Sequence, residues 1–157
     1  MRKLLSTGLV VFAGMMTLPA VSPRLARSIP TPDYRKDPRF LSLRKFFEKL
    51  DCPAREYAHV FLEAADDYKL DWRLLPSLSY VESTCGKAAL DNNIFGWNSG
   101  KAKFASPAAA VHTVGFRLAH SRPYRDKGLD EVLMTYNPDA EYVAKVKSVM
   151  RRIAPTE

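Results

Sequence analysis

From Phe40 onward, apolar side chains recur at three- and four-residue intervals, a spacing that suits helices and little else. Leu43, Phe46, Phe47 and Leu50 set a first helix over Leu41 to Leu50. Asp51 is placed to cap a second, with Cys52 and Pro53 in its first turn, where proline is tolerated. Its inward face would be Tyr57, Val60, Phe61, Ala64, Ala65 and Tyr68. A third follows Asp71 and carries Leu74, Leu75, Leu78 and Val81. Pro76 suggests an irregular first turn with regular helix from Pro76, and Gly86 is a natural stop. Ser106-Pro107 opens a fourth, with Val111, Val114, Gly115 and Leu118 inward. Leu129 to Tyr136 forms a short fifth, and Tyr142 to Ile153 the last, with Val143, Val146, Val149, Met150 and Ile153 apolar. The pattern contains no repeat and no second domain. It predicts a mostly α domain, all-α or helix-dominated α+β.

Residues 86–105 differ in character. Asn92, Asn93, Gly96, Asn98, Ser99 and Gly100 alternate with Ile94, Phe95, Trp97 and Phe104. That is turn chemistry with aromatic content, expected to build a small irregular second lobe with a short hairpin as one form it could take.

The N-terminus reads as an export signal. Arg2 and Lys3 precede an apolar run from Leu4 to Ala20 that is too short and too rich in glycine and hydroxyl residues for a good spanning helix. Cleavage after Ala20 is the preferred reading over a retained anchor. Residues 21–39, with Pro23, Pro30, Pro32 and Pro38, read as a flexible leader, and the folded domain as residues 40–157. The formal charge is +7, and loss of Arg2 and Lys3 leaves +5. A basic exported chain suits an anionic polymer or membrane surface, whereas nothing resembles a nucleic-acid recognition motif. In an oxidising compartment Cys52 and Cys85 are candidates for a disulfide, with two separate buried thiols as the alternative. His59, His112 and His120 are too scattered for a metal site, and no CxxC or HExxH occurs, so no metal and no cofactor are expected.

Glu82 is the leading candidate for chemistry. It falls in the last turn of the third helix, facing the negative end of the helix dipole. Partial burial acts in the same sense, and both favour the protonated form that a general acid uses. By spacing alone, an ordinary surface glutamate is the simpler reading.

The wider sequence around Glu82 changes that balance. Leu74-Leu75-Pro76-Ser77-Leu78-Ser79-Tyr80-Val81-Glu82-Ser83-Thr84-Cys85-Gly86-Lys87 resembles the "LLPAIAxxESGxGK" segment of bacterial lysozyme-like enzymes. Asn92-Asn93-Ile94-Phe95-Gly96-Trp97 is similar to the "NNxFG" segment of the glucosaminidase family. Thr135-Tyr136-Asn137-Pro138, followed by Tyr142-Val143-Ala144-Lys145-Val146, looks like that family's C-terminal tyrosine motif and is similar to the "AYNAG" motif of lytic transglycosylases. The three segments stand in family order over about residues 70–150.

This resemblance implies a lysozyme-like fold, with a helical lobe, a small second lobe and a cleft for peptidoglycan glycan strands. It implies Glu82 as general acid and Tyr136 as the tyrosine lining the cleft beside it. Asn92, Asn93, Phe95, Gly96 and Trp97 would shape the wall that holds the sugars, with Ser83 and Asn137 as further substrate contacts. Aromatic rings there suit the apolar faces of sugars; core packing is the competing role for Phe95, Trp97 and Tyr136. Glycosidases usually use two carboxylates. Asp91 is the only acid between Glu82 and Phe104, as a second catalytic group or as a turn former. Without a second acid, the N-acetyl group of the substrate could act as nucleophile. The resulting expectation is a secreted or periplasmic, cell-wall-associated monomer. It would cut β-1,4 bonds between N-acetylated amino sugars as a glucosaminidase. A muramidase or lytic transglycosylase is the nearest alternative, and an inactive glycan-binding module is an alternative of another class.

Overall fold

In the computed structural model the described residues are 32–155, so the expected export signal and most of the expected leader lie outside them. Six α-helices occur among the described residues: α1 (Pro38–Lys49), α2 (Ala58–Tyr68), α3 (Leu74–Ser83), α4 (Pro107–His120), α5 (Leu129–Tyr136) and α6 (Ala140–Ile153). Short 3-10 turns, Tyr34–Lys36 and Pro53–Tyr57, precede α1 and α2. No strand occurs among the described residues, so the architecture is mostly α. None of these helices is long and apolar enough to cross a membrane.

The α3 helix is the centre of the arrangement. Leu74 to Ser79 are all buried, so this helix is covered on every side rather than along one stripe. It packs chiefly on α6, while α2 packs chiefly on α4. Phe47, Phe61, Leu62, Leu78, Val114 and Leu118 are among the side chains that fill the space between helices. The Phe47 and Phe61 rings meet at 5.6 Å. Gly115 lets α4 approach closely, since a Cβ there would lie 2.9 Å from the Tyr68 ring and 3.2 Å from Leu75.

Several local expectations differ from what is observed. The structured chain reaches back past residue 40, inside the segment expected to be leader. Asp33 and Asp37 cap the first two turns, and Tyr34 is buried. Arg39 joins Asp37 and Asp66 through hydrogen bonds of 2.7–3.1 Å, which hold both carboxyls below their usual range. Asp51 does not cap α2. It has φ 49°, and Cys52 heads the intervening 3-10 turn. The α3 helix starts at Leu74 rather than Pro76. Pro76 is its third residue, where an N–H would have no intrahelical partner. The helix ends before Gly86, on the left-handed residues Thr84 and Cys85, whose N–H groups bond to the carbonyls of Tyr80 and Ser79.

Residues 84–106 form no hairpin. Asp91, Asn92, Gly96, Asn98, Ser99 and Gly100 all have positive φ between 51° and 78°, which winds the chain too tightly for an extended run. The segment is held by polar contacts and by the Cys52–Cys85 disulfide, whose Cα atoms are 5.3 Å apart.

Candidate active site

The three segments that carry the resemblance meet at Glu82. The half-buried Glu82 sits one residue from the end of α3, and the buried body of that helix fixes its position. Its Oε1 accepts a 2.6 Å hydrogen bond from the Tyr142 hydroxyl, near the start of α6. Its other oxygen faces Gly96. A Cβ at residue 96 would lie 2.6 Å from Oε2, and Gly96 has φ 58°, so both space and backbone call for glycine. No hydrogen bond or ion pair joins Glu82 to a second acid or to a base among the described residues.

The tyrosines share the site unequally. The Tyr136 hydroxyl donates to the Phe95 carbonyl and so ties the end of α5 to the irregular segment. Its ring stacks on that of Tyr142, with centroids 6.2 Å apart and planes 9° from parallel. The edge of Trp97 meets Tyr136 at 5.7 Å, and Tyr124 lies 6.0 Å from Trp97. Burial pushes the Tyr142 phenol well above its ordinary range, and the hydrogen bond to Glu82 acts in the same direction. Tyr136 is likewise raised by burial, with the Glu82 charge adding to it. Both therefore remain O–H donors through any ordinary working pH. Gly96, Trp97, Asn98, Tyr124, Tyr136 and Arg117 help line an open cavity of about 600 Å³ next to this cluster.

The expected contacts divide into those that line the cavity and those that do not. Trp97, Gly96 and Tyr136 line it. Phe95 is fully buried, so it belongs to the core. Ser83 is also buried. Its hydroxyl lies within hydrogen-bond reach of the Ser79 and Ile94 carbonyls, 2.8 Å from the latter, and accepts from Gly86 N–H, so its hydrogen bonds run within the fold. Asn93 is also held within the fold. Its amide is buried and closes a ring with Trp97, accepting from the Trp97 N–H and donating to the Trp97 carbonyl. Asn92 is exposed and donates to the Phe104 carbonyl, bracing the segment from outside. Asn137 ends α5 with its N–H on the Leu133 carbonyl. Asp91 is exposed, holds Phe104 N–H through its carbonyl and pairs with Lys103 at 3.1 Å, the arrangement of a turn former.

Sequence reasoning missed the residue that touches the acid. It marks Tyr142 only as the opening of the last helix and a part of the tyrosine motif. Its place six residues after Tyr136, across the Asn137–Asp139 turn, is the one hint the sequence offers. Tyr124 and Arg117 lie outside all three segments and carry no such hint.

The Tyr142 contact leads to a direct expectation. Tyr142→Phe keeps the stacked ring and removes the donor to Oε1. A hydrogen bond to a charged group contributes about 1.5–3 kcal/mol. If Glu82 is the acid, kcat should fall by roughly tenfold to a hundredfold with KM nearly unchanged. Steady-state kinetics would check this, and an unchanged kcat would remove Tyr142 from the mechanism.

Arranged this way, the cluster offers one carboxyl with a fixed orientation beside an aromatic-walled cavity. Glu82 is not itself among the cavity's lining residues; its Oε2 lies against Gly96, which is. No group of three or more His, Cys, Asp or Glu side chains suited to a metal ion occurs among the described residues. In comparisons with known proteins, the chain matches no family model, no curated protein and no solved structure.

Proposed function

We propose that this chain is an exported, cell-wall-associated peptidoglycan glycosidase with a lysozyme-like domain. It would cut β-1,4 bonds between N-acetylated amino sugars in the manner of a glucosaminidase, with Glu82 as general acid. The supporting observation is the contact of Glu82 with both Tyr142 and Gly96 beside a cavity walled by Trp97, Tyr124 and Tyr136. Apart from Tyr124, these groups come from three segments far apart in sequence: the Glu82 segment resembles that of bacterial lysozyme-like enzymes, and the segments carrying Gly96 with Trp97 and Tyr136 with Tyr142 resemble those of glucosaminidases.

The geometry suggests how the reaction would run. Tyr142 holds Oε1, which leaves Oε2, beside Gly96, as the oxygen that delivers a proton. The proton goes to the leaving glycosidic oxygen as the bond to the anomeric carbon breaks. The carbonyl oxygen of the N-acetyl group of that same sugar closes on the anomeric carbon. Water then opens the ring so formed and returns a proton to Glu82. Aromatic faces in the cavity would hold the sugars by their apolar sides.

The position of Asp91 favours a single-acid reaction, because it is exposed and paired with Lys103. The same feature supports a second reading, a lytic transglycosylase, in which the sugar's own 6-hydroxyl rather than water opens the ring formed by the N-acetyl group, gives its proton to Glu82 and leaves an anhydro sugar. In either case Asp91→Asn should leave turnover within about twofold, the scale of an ordinary surface substitution. A hundredfold loss with the fold intact would instead make Asp91 the second catalytic carboxylate.

The deciding experiment is mass spectrometry of soluble products after incubation of mature protein with peptidoglycan sacculi. Muropeptides with reducing GlcNAc ends are the expected result. Reducing MurNAc ends would mark a muramidase, and 1,6-anhydro-MurNAc a lytic transglycosylase. Binding to sacculi with no release would reject the enzyme and leave a glycan-binding module.

A further inference from the structure

The cavity beside Glu82 is lined by aromatic rings, small residues and neutral polar groups, with one charged exception. Arg117, on the exposed face of α4, is the only charged residue among its described lining. The described ion pairs use Arg39, Arg44, Arg55, Arg73 and Arg125 among the arginines, and Arg117 is in none of them. Its hydrogen bonds among the described residues run through its backbone carbonyl, which accepts from the N–H and the hydroxyl of Ser121. On its other side Arg117 borders a second hollow of about 480 Å³, shared with Tyr68, His112 and Phe116, whose lining also holds no acid. The guanidinium therefore has no described carboxylate partner on either side.

We propose that Arg117 is a specificity residue that grips a carboxylate carried on the glycan strand. This rests on the reading of the cavity as the place where that strand binds. Neutral N-acetylated sugars need only rings and amides, which the rest of the lining supplies. A guanidinium adds a planar pair of N–H donors matched to the two oxygens of a carboxylate. A peptidoglycan strand offers that chemistry in two places, the lactyl ether of its acidic sugar and the free acids of attached stem peptides. Arg117 thus separates an acidic wall strand from a neutral strand of the same backbone.

Binding without turnover tests this separately from catalysis. Isothermal titration calorimetry would use the full mature chain carrying Glu82→Gln, which keeps the ligands intact. Three ligands of matched length would be compared: neutral chitotetraose, a peptide-free glycan strand with free lactyl carboxylates, and a strand carrying stem peptides. At low salt, at least one acidic strand should bind about tenfold tighter than chitotetraose, the scale of one charge-assisted contact. Preference for the peptide-free strand assigns the lactyl acid, and preference for the peptide-bearing strand alone assigns the peptide acid. Adding Arg117→Gln should abolish the preference, so that acidic strands bind no tighter than chitotetraose, while Arg117→Lys should keep part of it. Added salt should weaken acidic strands more than the neutral one. Equal affinities, a preference that survives Arg117→Gln, or no binding of any of the three would each overturn the proposal. If the preference behaves as expected while wild-type protein releases no product from sacculi, the catalytic reading falls and the Arg117 assignment stands.

Discussion

Glu82→Gln is expected to reduce glycan cleavage by at least a hundredfold to ten-thousandfold, the usual range for loss of a positioned general acid. The replacement is nearly isosteric. Its amide oxygen can still accept from the Tyr142 hydroxyl, as Oε1 does in the acid. The opposite end still fits beside Gly96, where no Cβ intrudes. What disappears is the proton that the carboxyl can deliver to a leaving oxygen. Thermal unfolding should therefore barely move while product release stops. Muropeptide release measured beside the melting curve separates the two effects. Retention of more than half the wild-type rate would show that Glu82 is not the acid.

The largest expected effect on stability comes from the disulfide. The double substitution Cys52→Ser, Cys85→Ser opens a crosslink between residues 33 apart. On the chain-entropy account, such a loop contributes roughly 3–4 kcal/mol. For a domain of this size that corresponds to a fall in Tm of roughly 10–15 °C. Activity should fall as well. Cys85 lies three residues after Glu82 and takes one of the two left-handed conformations that end α3, so the crosslink braces the backbone next to the acid. Melting the wild-type protein with and without reductant, beside the double variant, measures this. A change below about 1 kcal/mol would mean that the helices hold this end of α3 without the bond.

The helices were legible because their cause is local. Leu129–Tyr136 occurs with the expected bounds, and Ser106 caps α4 through its hydroxyl on Ala109 N–H. Both rest on side-chain period and cap chemistry within a few residues. The errors arise where one residue type permits two local outcomes. Pro76 fits an irregular entry or the third position of a regular helix, and only the burial of Leu74 and Leu75 against neighbouring helices selects the second. Asp33 and Asp37 look like leader residues until Tyr34 is packed and Arg39 reaches across to Asp66.

The candidate site divides along the same line. The sequence by itself identified Glu82, its place in the last turn of its helix, the glycine-bearing aromatic segment and the tyrosine-bearing C-terminal segment. Each is a short run of neighbouring residues, so its residue types and spacing are visible in one dimension. Tertiary structure alone decided that Tyr142 rather than Tyr136 bonds to Glu82, that Ser83, Asn93 and Phe95 are buried and do not line the cavity, and that Tyr124 and Arg117 border it. A hydroxyl 60 residues from a carboxyl reaches it only because α3 and α6 pack together. Motif spacing records which residues share a turn; which of them face a cavity depends on how separate helices bury their apolar sides against one another.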